Sequence, residues 1–375
     1  MEAGGIAREG ALGASSGGAG PAAARLGFDC RLEQSGAQQS DASGPMAVEL
    51  AMGKQMIASQ PAPSLSPPAE PNPPAVDERR IARELSPSLA VPTLLLAVFL
   101  PSAFVSVIVL GSLRAWPFWA CTPLLSILAY AHYTLVHEAI HHNIVPGHRK
   151  LQGLEVLIGW VGSLALGTSW PALQRTHVLH HTHTNSDKDP DIWVKGSGLA
   201  LLRKWGVNVL LSPIPAYAFK YIAPEEYRKA REVLTTSEIL QTSAVTAAST
   251  AMLLVCLLIG RPLDWVFLWF VPTQVGALLL HVLFQWMPHY PFDRTERYYN
   301  TRLSFWPGGG VFTLQQNLHL MHHLWPSVPF YNYARMYREF SPMLAAKGCR
   351  VEGLRVGSTV AKGAMARRTE GSHAS

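Results

Sequence analysis

Four apolar stretches, each close to the length of a bilayer crossing, constrain the fold of this chain more than any other feature. They comprise residues 91–110, 116–136, 239–259 and 263–287. A helix needs about 20 predominantly apolar residues to cross the hydrocarbon core of a membrane. Because a chain in lipid must satisfy its own backbone hydrogen bonds, such stretches form helices. The sequence therefore predicts an all-α integral membrane protein with four transmembrane helices.

Short connections join these helices in pairs. Only a few residues, around GSLRAW and GRPLD, separate the first stretch from the second and the third from the fourth. Linkers this short predict two helical hairpins, each entering and leaving the membrane on the same side. The two turns hold only Arg114 and Arg261, whereas lysine and arginine are frequent in the middle segment and the C-terminal part. By the positive-inside rule, we expect the middle segment and both termini on the cytoplasmic side of the cell inner membrane.

Two further apolar stretches are less suited to crossing the membrane. The stretch of residues 151–166 is short, and the stretch of residues 199–222 is interrupted by Arg203, Lys204 and prolines. Such stretches are typical of helices that lie in the interface. The alternative for residues 151–166 is a re-entrant segment rather than an interfacial helix.

Composition sets the domain boundaries. Residues 1–85 are rich in Gly, Ala, Ser and Pro, as in GASSGGAGPAAA and SQPAPSLSPPAEPNPP. Such a segment cannot bury enough apolar surface to offset its chain entropy. We therefore expect a disordered N-terminal extension over 1–85, a membrane domain over 86–345 and a flexible C-terminal tail over 346–375.

Charge and cysteine usage exclude several classes of protein. The net charge is +6, but the basic residues are not concentrated in one region with aromatic residues between them, so we expect no nucleic-acid partner. A membrane surface accounts for the charge. The four cysteines lie far apart without a CxxC pair, which favours neither a disulfide framework nor a zinc or iron–sulfur site.

Eight of the 15 histidines fall into three clusters, HEAIH, HVLHH and HLMHH. Their members are His137 and His141, then His177, His180 and His181, and then His319, His322 and His323. On a helix, spacings of three and four residues place side chains on one face, with Cβ atoms about 5–6 Å apart. Imidazole is the commonest metal ligand in proteins. The predicted topology places all three clusters on one membrane face, so we predict a shared metal site there.

The number of histidines indicates more than one metal ion. Tetrahedral zinc takes four ligands, so eight imidazoles suit two ions. Imidazole also suits iron, and an iron pair can activate O2 to attack unactivated C–H bonds. We therefore predict two non-haem iron ions as cofactor, O2 as co-substrate and a membrane lipid as substrate.

The three histidine boxes and their order resemble those of the integral-membrane fatty acid desaturase superfamily of non-haem di-iron enzymes. The resemblance covers roughly residues 85–345, in the arrangement hairpin, box, box, hairpin, box. The segments QNLHLMHHLWPSVPFYNY, WMPHYPF and HHTHTNSDKDPDIW are most similar to the bacterial branch that includes the cyanobacterial type of β-carotene hydroxylase. The resemblance implies that the eight box histidines bind iron.

The same resemblance implies a further ligand after the last span. QWMPH offers His289 for this role, with the amide of Gln285 four residues earlier as a water-mediated ligand. Pro288 is expected to distort the helix between them. His142 adjoins the first box and is an alternative to His141.

Carboxylates near the boxes are candidates to orient the histidines. Metal-bound imidazoles usually donate their second N–H to a carboxylate or a carbonyl. The candidates are Glu138, Asp187, Asp189 and Asp191. An ordinary solvated turn is the alternative for SDKDPD.

The other histidines carry weaker expectations. We expect His183 to be solvated or to donate a hydrogen bond near the site, and His281 to be a satisfied core histidine in the last span. The sequence suggests no partner for His132 or His148, and no role for His373 in the tail.

Two other classes of protein compete with the oxygenase. HEAIH also fits the HExxH motif of zinc proteases, in which Glu138 would be the general base; this leaves six box histidines unexplained. A metal transporter would place its histidines within the crossing helices rather than at their ends. Two irons per chain are expected for the oxygenase, one zinc for the protease and variable loading for the transporter.

We expect O2-dependent oxidation of lipid C–H bonds, with fatty acyl desaturation placed ahead of carotenoid ring hydroxylation. The ligands do not separate these reactions, because the outcome depends on how the substrate carbon is held. The chain has no GxGxxG after a strand, no HPGG haem motif and no cysteine cluster. A separate ferredoxin or cytochrome b5-type protein is therefore expected to deliver the electrons. Basic residues between the hairpins, such as Arg203 and Arg228, could dock an acidic ferredoxin or anionic lipid headgroups.

Overall fold

The computed structural model describes residues 76–354. Residues 1–75 and 355–375, which hold most of the predicted extension, most of the predicted tail and His373, lie outside the described residues. Helices make up nearly all of the regular structure between these limits. The α-helices are α1 Glu78–Glu84, α2 Val91–Ser112, α3 Phe118–Ile140, α4 Gln152–Ala165, α5 Trp170–His183, α6 Gly198–Leu211, α7 Phe219–Ile222, α8 Pro224–Val233, α9 Thr236–Leu258, α10 Pro262–Trp265, α11 Val271–Leu280, α12 Met287–His289, α13 Gly309–Phe312, α14 His319–Leu324 and α15 Tyr333–Ala346.

Shorter elements complete the described part of the chain. The 3₁₀ segments are Arg149–Leu151, Pro190–Val194, Ala216–Ala218, Gln316–Leu318 and Phe330–Asn332, and the π-helical segments are Val266–Phe270 and His281–Trp286. Two short strands, β1 Leu303–Ser304 and β2 Val351–Glu352, pair in parallel.

Three helices are long and apolar enough to cross a membrane by length and composition. They are Val91–Ser112, Thr236–Leu258 and the composite helix Pro262–His289. They correspond to the first, third and fourth predicted spans. The pair α4 and α5, bent by 96° at a short break, makes a fourth if the two are counted as one broken or re-entrant segment. The chain is thus an integral membrane protein whose helices agree with three of the four predicted crossings.

Helix α3, the second predicted span, is long but less apolar than those three. Most of its residues are buried, including the polar side chains of His132, His137 and Glu138. It contacts α2, α4 and α11. A helix that faces other helices on several sides need not be as apolar as one that faces lipid, which explains the lower hydropathy of this segment.

Small residues allow the neighbouring helices to approach α3 closely. A Cβ atom added at Gly276 of α11 would lie 2.7 Å from the Cβ of Ala129. One added at Gly162 of α4 would lie 2.9 Å from the carbonyl oxygen of His132. Close approach at small residues is the usual way in which helices pack in membranes.

Two prolines accompany the irregular turns of the composite helix. The first π-helical segment ends two residues before Pro272, and the second ends two residues before Pro288. Proline lacks the N–H of an α-helical hydrogen bond and its ring displaces the carbonyl four residues earlier. The distortion predicted at Pro288 is therefore present as a π-helical turn directly before His289, and such turns are frequent at functional sites.

The two short connections between predicted spans meet at the end of α3 remote from the boxes. Arg114, between α2 and α3, forms an ion pair with Asp264 at 2.5 Å. Asp264 also pairs with Arg261, in the connection between α9 and α10, at 2.6 Å. The two connections therefore lie next to each other.

The described part of the predicted extension includes helix α1. Asp77 caps this helix by accepting from the backbone N–H of Arg80 at 3.0 Å. Glu78 accepts hydrogen bonds from the Tyr298 hydroxyl at 2.5 Å and from the indole of Trp325 at 3.0 Å. Helix α1 thus packs beside the segment that follows the third box.

The stretch predicted to lie in the interface forms α6 and the short helices after it. Leu199 and Leu210 of α6 are 69% and 79% exposed. The indole of Trp205, also on α6, donates to the carbonyl of Gln274 on α11 at 3.1 Å. Helix α6 therefore lies against the composite helix with leucines on its outer surface, as expected for a helix at a lipid interface.

Candidate metal centre

Nine histidines from four parts of the chain meet in one buried cluster. His137 lies in the last turn of α3 and His141 directly after it, whereas His289 ends the composite helix. The others lie on α5 and α14: His177, His180, His181, His319, His322 and His323. The structure therefore brings together all eight box histidines and the additional histidine implied by the family resemblance.

The nine histidines form two groups of four with one between them. One group consists of His137, His141, His177 and His322, and the other of His180, His289, His319 and His323. The ligand atoms of each group lie within 4.8 Å of one another. His181 forms a third group with His322 and His323, so it lies between the first two. This arrangement offers two adjacent groups of ligands, each of which could hold a metal ion.

The ring nitrogens have the spacing of metal ligands. The distance between Nε2 atoms is 3.0 Å for His137 and His322 and 2.9 Å for His141 and His177. In the second group it is 3.2 Å for His319 and His323. A metal about 2.1 Å from each nitrogen requires ligand separations of roughly 3.0 to 3.4 Å. The histidines therefore fit a metal ion in each group.

Some of these nitrogens have no other partner. Neither ring nitrogen of His289 has a hydrogen-bond partner among the described residues, although the side chain is only 2% exposed. Buried polar groups are nearly always paired, so an unpaired imidazole needs an explanation. A metal ion bound at the ring nitrogen provides one.

A carboxylate orients His180. Its Nδ1 lies 2.9 Å and 3.1 Å from the two carboxylate oxygens of Asp189. Because a carboxylate only accepts, Nδ1 carries the proton and Nε2 keeps its lone pair for a metal. Backbone N–H groups of Asn185 and Asp191 hold Asp189 in place at 2.7 and 2.9 Å.

Asp191 and Gln285 lie beyond Asp189. An oxygen of Asp191 is 3.7 Å from His180 Nδ1, and burial raises the pKa of Asp191 to about 6. Gln285 accepts from Nδ1 of His281 at 2.6 Å and hydrogen-bonds Asp191. His281 is therefore a satisfied core histidine, as expected.

Burial keeps the histidines of the third box neutral. It lowers the pKa of His319, His322 and His323 well below the usual 6.5, and the neighbouring imidazoles lower it further. A neutral imidazole has the free lone pair that a metal requires. The cluster therefore favours metal over protons.

Glu138 and Glu155 have structural surroundings. Glu138 is completely buried, with one oxygen 3.6 Å from Nδ1 of His137 and 3.3 Å from the backbone nitrogen of Phe330. Glu155 of α4 is 2% exposed and accepts from the backbone N–H of Ile144 and Val145 at 3.2 and 2.8 Å. It therefore fixes the segment that follows the first box.

Two of the candidates lie outside the cluster. His142 has a positive φ of 55° and its Nδ1 lies 2.7 Å from Glu155, so it does not take the place of His141. Asp187 is exposed, and no hydrogen bond of the described residues joins it to a histidine. Of the weaker candidates, His132 lies 2.7 Å from the carbonyl of Leu128 and is satisfied within its own helix.

Three aromatic residues contact the cluster, and sequence reasoning gave none of them a role in positioning the histidines. The hydroxyl of Tyr133 lies 3.3 Å from Nδ1 of His177, and that of Tyr333 lies 3.1 Å from Nδ1 of His322. The Phe284 ring packs edge-on against His137 and His319. Tyr133 lies one turn before His137, which was an available signal, but the other two contacts depend on the fold.

This fold and site define a class: a helical membrane protein with a buried cluster of histidines that could hold metal ions. The fatty acid desaturase family matches residues 114–353. The chain belongs to this family, which confirms the resemblance seen in the histidine boxes.

Two curated relatives oxidise carotenoids, according to their names. The chain is 28% identical to a beta-carotene ketolase of Paracoccus sp. (strain PC1) over 250 residues, covering 60% of this chain and 85% of that protein. It is 27% identical to a beta-carotene ketolase of Paracoccus sp. (strain N81106 / MBIC 01143) over 219 residues, covering 55% of this chain and 74% of that protein. Both similarities place the chain near carotenoid-modifying members of the family.

Proposed function

We propose that the nine histidines hold two iron ions and that the protein is an O2-dependent oxygenase of C–H bonds in a membrane lipid. The observation that carries this proposal is the division of the histidines into two adjacent groups of four with His181 between them. One metal ion would leave half of these imidazoles without a role. Family membership supports iron as the metal.

The iron pair supplies the activation of O2 and the oxidising power for an unactivated C–H bond. The tasks of the protein are positional. Asp189 holds His180 in the tautomer that binds metal, and Tyr333 hydrogen-bonds His322. The side chains of Phe284 and Leu320 are buried near the histidines and keep bulk water away. Hydroxylation consumes one O2, two electrons and two protons, and releases one water molecule.

The substrate proposed first is a carotenoid, oxidised at a methylene of its end ring. Both named relatives are beta-carotene ketolases. Fatty acyl desaturation, placed first by sequence reasoning, is the second candidate, supported by the family description. The two reactions require the same metal ligands and differ in how the chain holds the substrate carbon.

Expression in a host that makes β-carotene tests the substrate, with mass analysis of both pigments and fatty acids. A pigment that gains one oxygen atom indicates hydroxylation, and one that also loses two hydrogens indicates ketone formation. Acyl chains that lose two hydrogens, with unchanged pigment, would contradict the carotenoid proposal and favour desaturation. If pigments and fatty acids both remain unchanged although the protein carries its full complement of iron, both proposed substrates are contradicted.

The iron ligands are tested by His322→Ala. His322 belongs to the first group and to the group around His181, so we expect activity to fall to background and iron content to fall by at least one ion per chain. His183→Ala is the control, because His183 lies on the same helix as box histidines but belongs to neither group. Normal membrane insertion with full activity in His322→Ala would refute the assignment.

The arrangement of the first box argues against a zinc protease. Its motif predicts a single zinc held by His137 and His141, yet these side chains share a group with His177 and His322. Glu138 also accepts from the backbone of Phe330, which is a structural contact rather than that of a free base.

We propose a separate ferredoxin or cytochrome b5-type donor at the cytoplasmic face, with both termini on that side of the inner membrane. The exposed Arg203 and Lys204 of α6 offer a docking surface for an acidic donor, whereas Arg228 and Lys229 of α8 pair with glutamates of their own helix. We expect an added ferredoxin to reduce the iron, and we expect salt to slow this reduction.

A further inference from the structure

A buried arginine lies at the end of the composite helix. Arg302 is only 1% exposed. Its guanidinium Nε donates to the carbonyl of Met287 at 2.7 Å, and its backbone N–H donates to the carbonyl of Pro288 at 3.1 Å. These carbonyls belong to the two residues directly before His289. Arg302 therefore holds the last turn of the helix by two hydrogen bonds.

The sequence explains why these two carbonyls need donors from outside the helix. In an α-helix, a carbonyl accepts from the N–H four residues later. The residue four after Met287 is Pro291, which has no N–H. The residue four after Pro288 is Phe292, whose N–H donates instead to the carbonyl of His289 at 2.7 Å. Since a buried carbonyl without a donor is costly, the arginine supplies what this helix end lacks.

Glu352 holds the arginine from the other side. Its carboxylate pairs with Nη1 of Arg302 at 2.6 Å, and the two side chains are 13% and 1% exposed. The strands β1 and β2 bring these residues near each other, because Leu303 pairs with Val351 in parallel. The segment after α15 is thus connected to the end of the composite helix through one ion pair.

Stability alone is a weak explanation for this ion pair. Burying a guanidinium costs free energy, and a buried ion pair often contributes little net stability. Nη2 of Arg302 is also buried without a hydrogen-bond partner within residues 76–354, which adds to the cost. In some proteins, buried ionic groups instead fix one conformation of the chain. A positional role therefore accounts better for a charged residue here.

The orientation of His289 depends on the turn that the arginine holds. No side chain of the described residues hydrogen-bonds the His289 ring, whereas Asp189 holds His180 of the same group. The direction of the His289 ring therefore follows its backbone. Metal ligands must lie within about 0.2 Å of their ideal distance, so a small shift of this turn would weaken metal binding.

We propose that Arg302, held by Glu352, is a positioning residue for His289 and thereby sets the metal affinity of the second group of histidines. The inference rests on the proposed function, because it assumes that this group binds a metal ion. The arginine takes no part in the oxidation itself.

Metal titration of the full-length protein in lipid nanodiscs tests this inference, with Co(II) as the probe. Imidazole sites bind divalent first-row ions such as Co(II) as well as iron, and we expect the wild-type protein to bind two ions. Arg302→Met removes the side-chain donor at similar length. We expect one of the two ions to bind about 10- to 100-fold more weakly in this variant, with an unchanged affinity for the other.

Arg350→Met is the matched control. Arg350 also connects β2 to the chain that follows His289, because its guanidinium donates to both carboxylate oxygens of Asp293 at 3.1 and 3.2 Å. It donates to neither carbonyl of the helix end. We therefore expect both ions to bind Arg350→Met as tightly as they bind the wild-type protein.

The visible spectrum of Co(II) identifies which ion is weakened. His319 belongs only to the second group, and His141 only to the first. The spectrum of Arg302→Met loaded with one ion should match that of His319→Ala, which keeps the first group, and differ from that of His141→Ala. A general loss of packing would weaken both ions alike, so this measurement separates positioning from stability.

Arg302→Lys separates the carbonyl contact from the charge, and it replaces Arg302→Met if that variant does not fold. A lysine restores the positive charge opposite Glu352, but its single nitrogen cannot occupy the positions of both Nε and Nη1. We expect the midpoint of thermal unfolding to recover, whereas the second ion should still bind more weakly than in the wild-type protein.

Three results would overturn the inference while leaving the proposed function intact. They are two ions bound with unchanged affinity in Arg302→Met, an equal weakening of both ions, and full recovery of metal affinity in Arg302→Lys. Wild-type protein that binds fewer than two ions would contradict the proposed function, and the inference with it. The wild-type titration thus distinguishes the two failures.

Discussion

At the residue scale, each HxxHH box contributes to both metal groups. On α5, His177 belongs to the first group, His180 to the second, and His181 lies between them. On α14, His322 belongs to the first group and His323 to the second. Adjacent residues on an α-helix point about 100° apart, because 3.6 residues make a turn. A pair of consecutive histidines can therefore reach two different ions from one helix.

The aspartate contact to His180 gives a testable difference between neighbouring residues. Asp189→Asn removes the carboxylate that fixes the His180 tautomer, and we expect iron affinity to fall about 10- to 100-fold. Asp187→Asn is the matched control, because Asp187 is exposed and two positions away. Iron affinity is measured by competition with a chelator. Equal affinity in the two variants would show that Asp189 does not orient the ligand.

At the element scale, the link between α3 and α4 is held by Glu155. Glu155→Ala leaves the buried N–H groups of Ile144 and Val145 without their acceptor, which costs about 1–3 kcal/mol. We expect a lower midpoint of thermal unfolding in detergent. Glu225→Ala, at an exposed position on α8, should leave the midpoint nearly unchanged. A midpoint as high in Glu155→Ala as in this control would contradict the structural role.

The approach of α11 to α3 is tested by a pair of glycine substitutions. Gly276→Ala places a Cβ atom 2.7 Å from the Cβ of Ala129, and such overpacking is expected to destabilise the protein by about 1–3 kcal/mol. Gly206→Ala on α6 meets nothing within 4 Å and is expected to be neutral or slightly stabilising. Thermal unfolding of the two variants measures the difference. Equal stability would mean that α3 and α11 are not closely packed.

At the scale of the whole molecule, the proposed metal ions would connect elements that are distant in the chain. We expect a chelator to remove two irons per chain and to abolish oxidation. Fe(II) should restore activity and Zn(II) should not, because zinc has no redox chemistry. Since the histidines come from α3, α5, α12 and α14, the metal-free protein should also unfold at a lower temperature. Activity that survives complete removal of iron would end the di-iron proposal.

Much of the metal centre was predictable from local sequence. The spacings of three and four within each box predict one helical face, and the family resemblance added His289. The cluster contains all nine of these histidines. The weaker candidates His142 and Asp187 were separated from the cluster only by the fold, since His142 turns toward Glu155 and Asp187 faces solvent.

The membrane helices were likewise predictable in part from the sequence. Hydropathy predicted four crossings, and three of them are helices long and apolar enough to span a membrane. It did not reveal that the remaining one, α3, buries the polar side chains of His132, His137 and Glu138. Nor did it describe the 96° bend between α4 and α5, which follows from contacts rather than from composition.

By itself, the sequence predicted histidine as the ligand type, two metal ions and the apolar helices, since each prediction depends on residue identity and on spacing within a few turns. Only the tertiary structure decided which histidine joins which group, that Asp189 and Tyr333 support particular ligands, and that Arg302 lies at the end of the composite helix. The physical reason is distance along the chain. His137 and His322 are 185 residues apart, yet their Nε2 atoms lie 3.0 Å from each other, and local periodicity contains no information about such a contact.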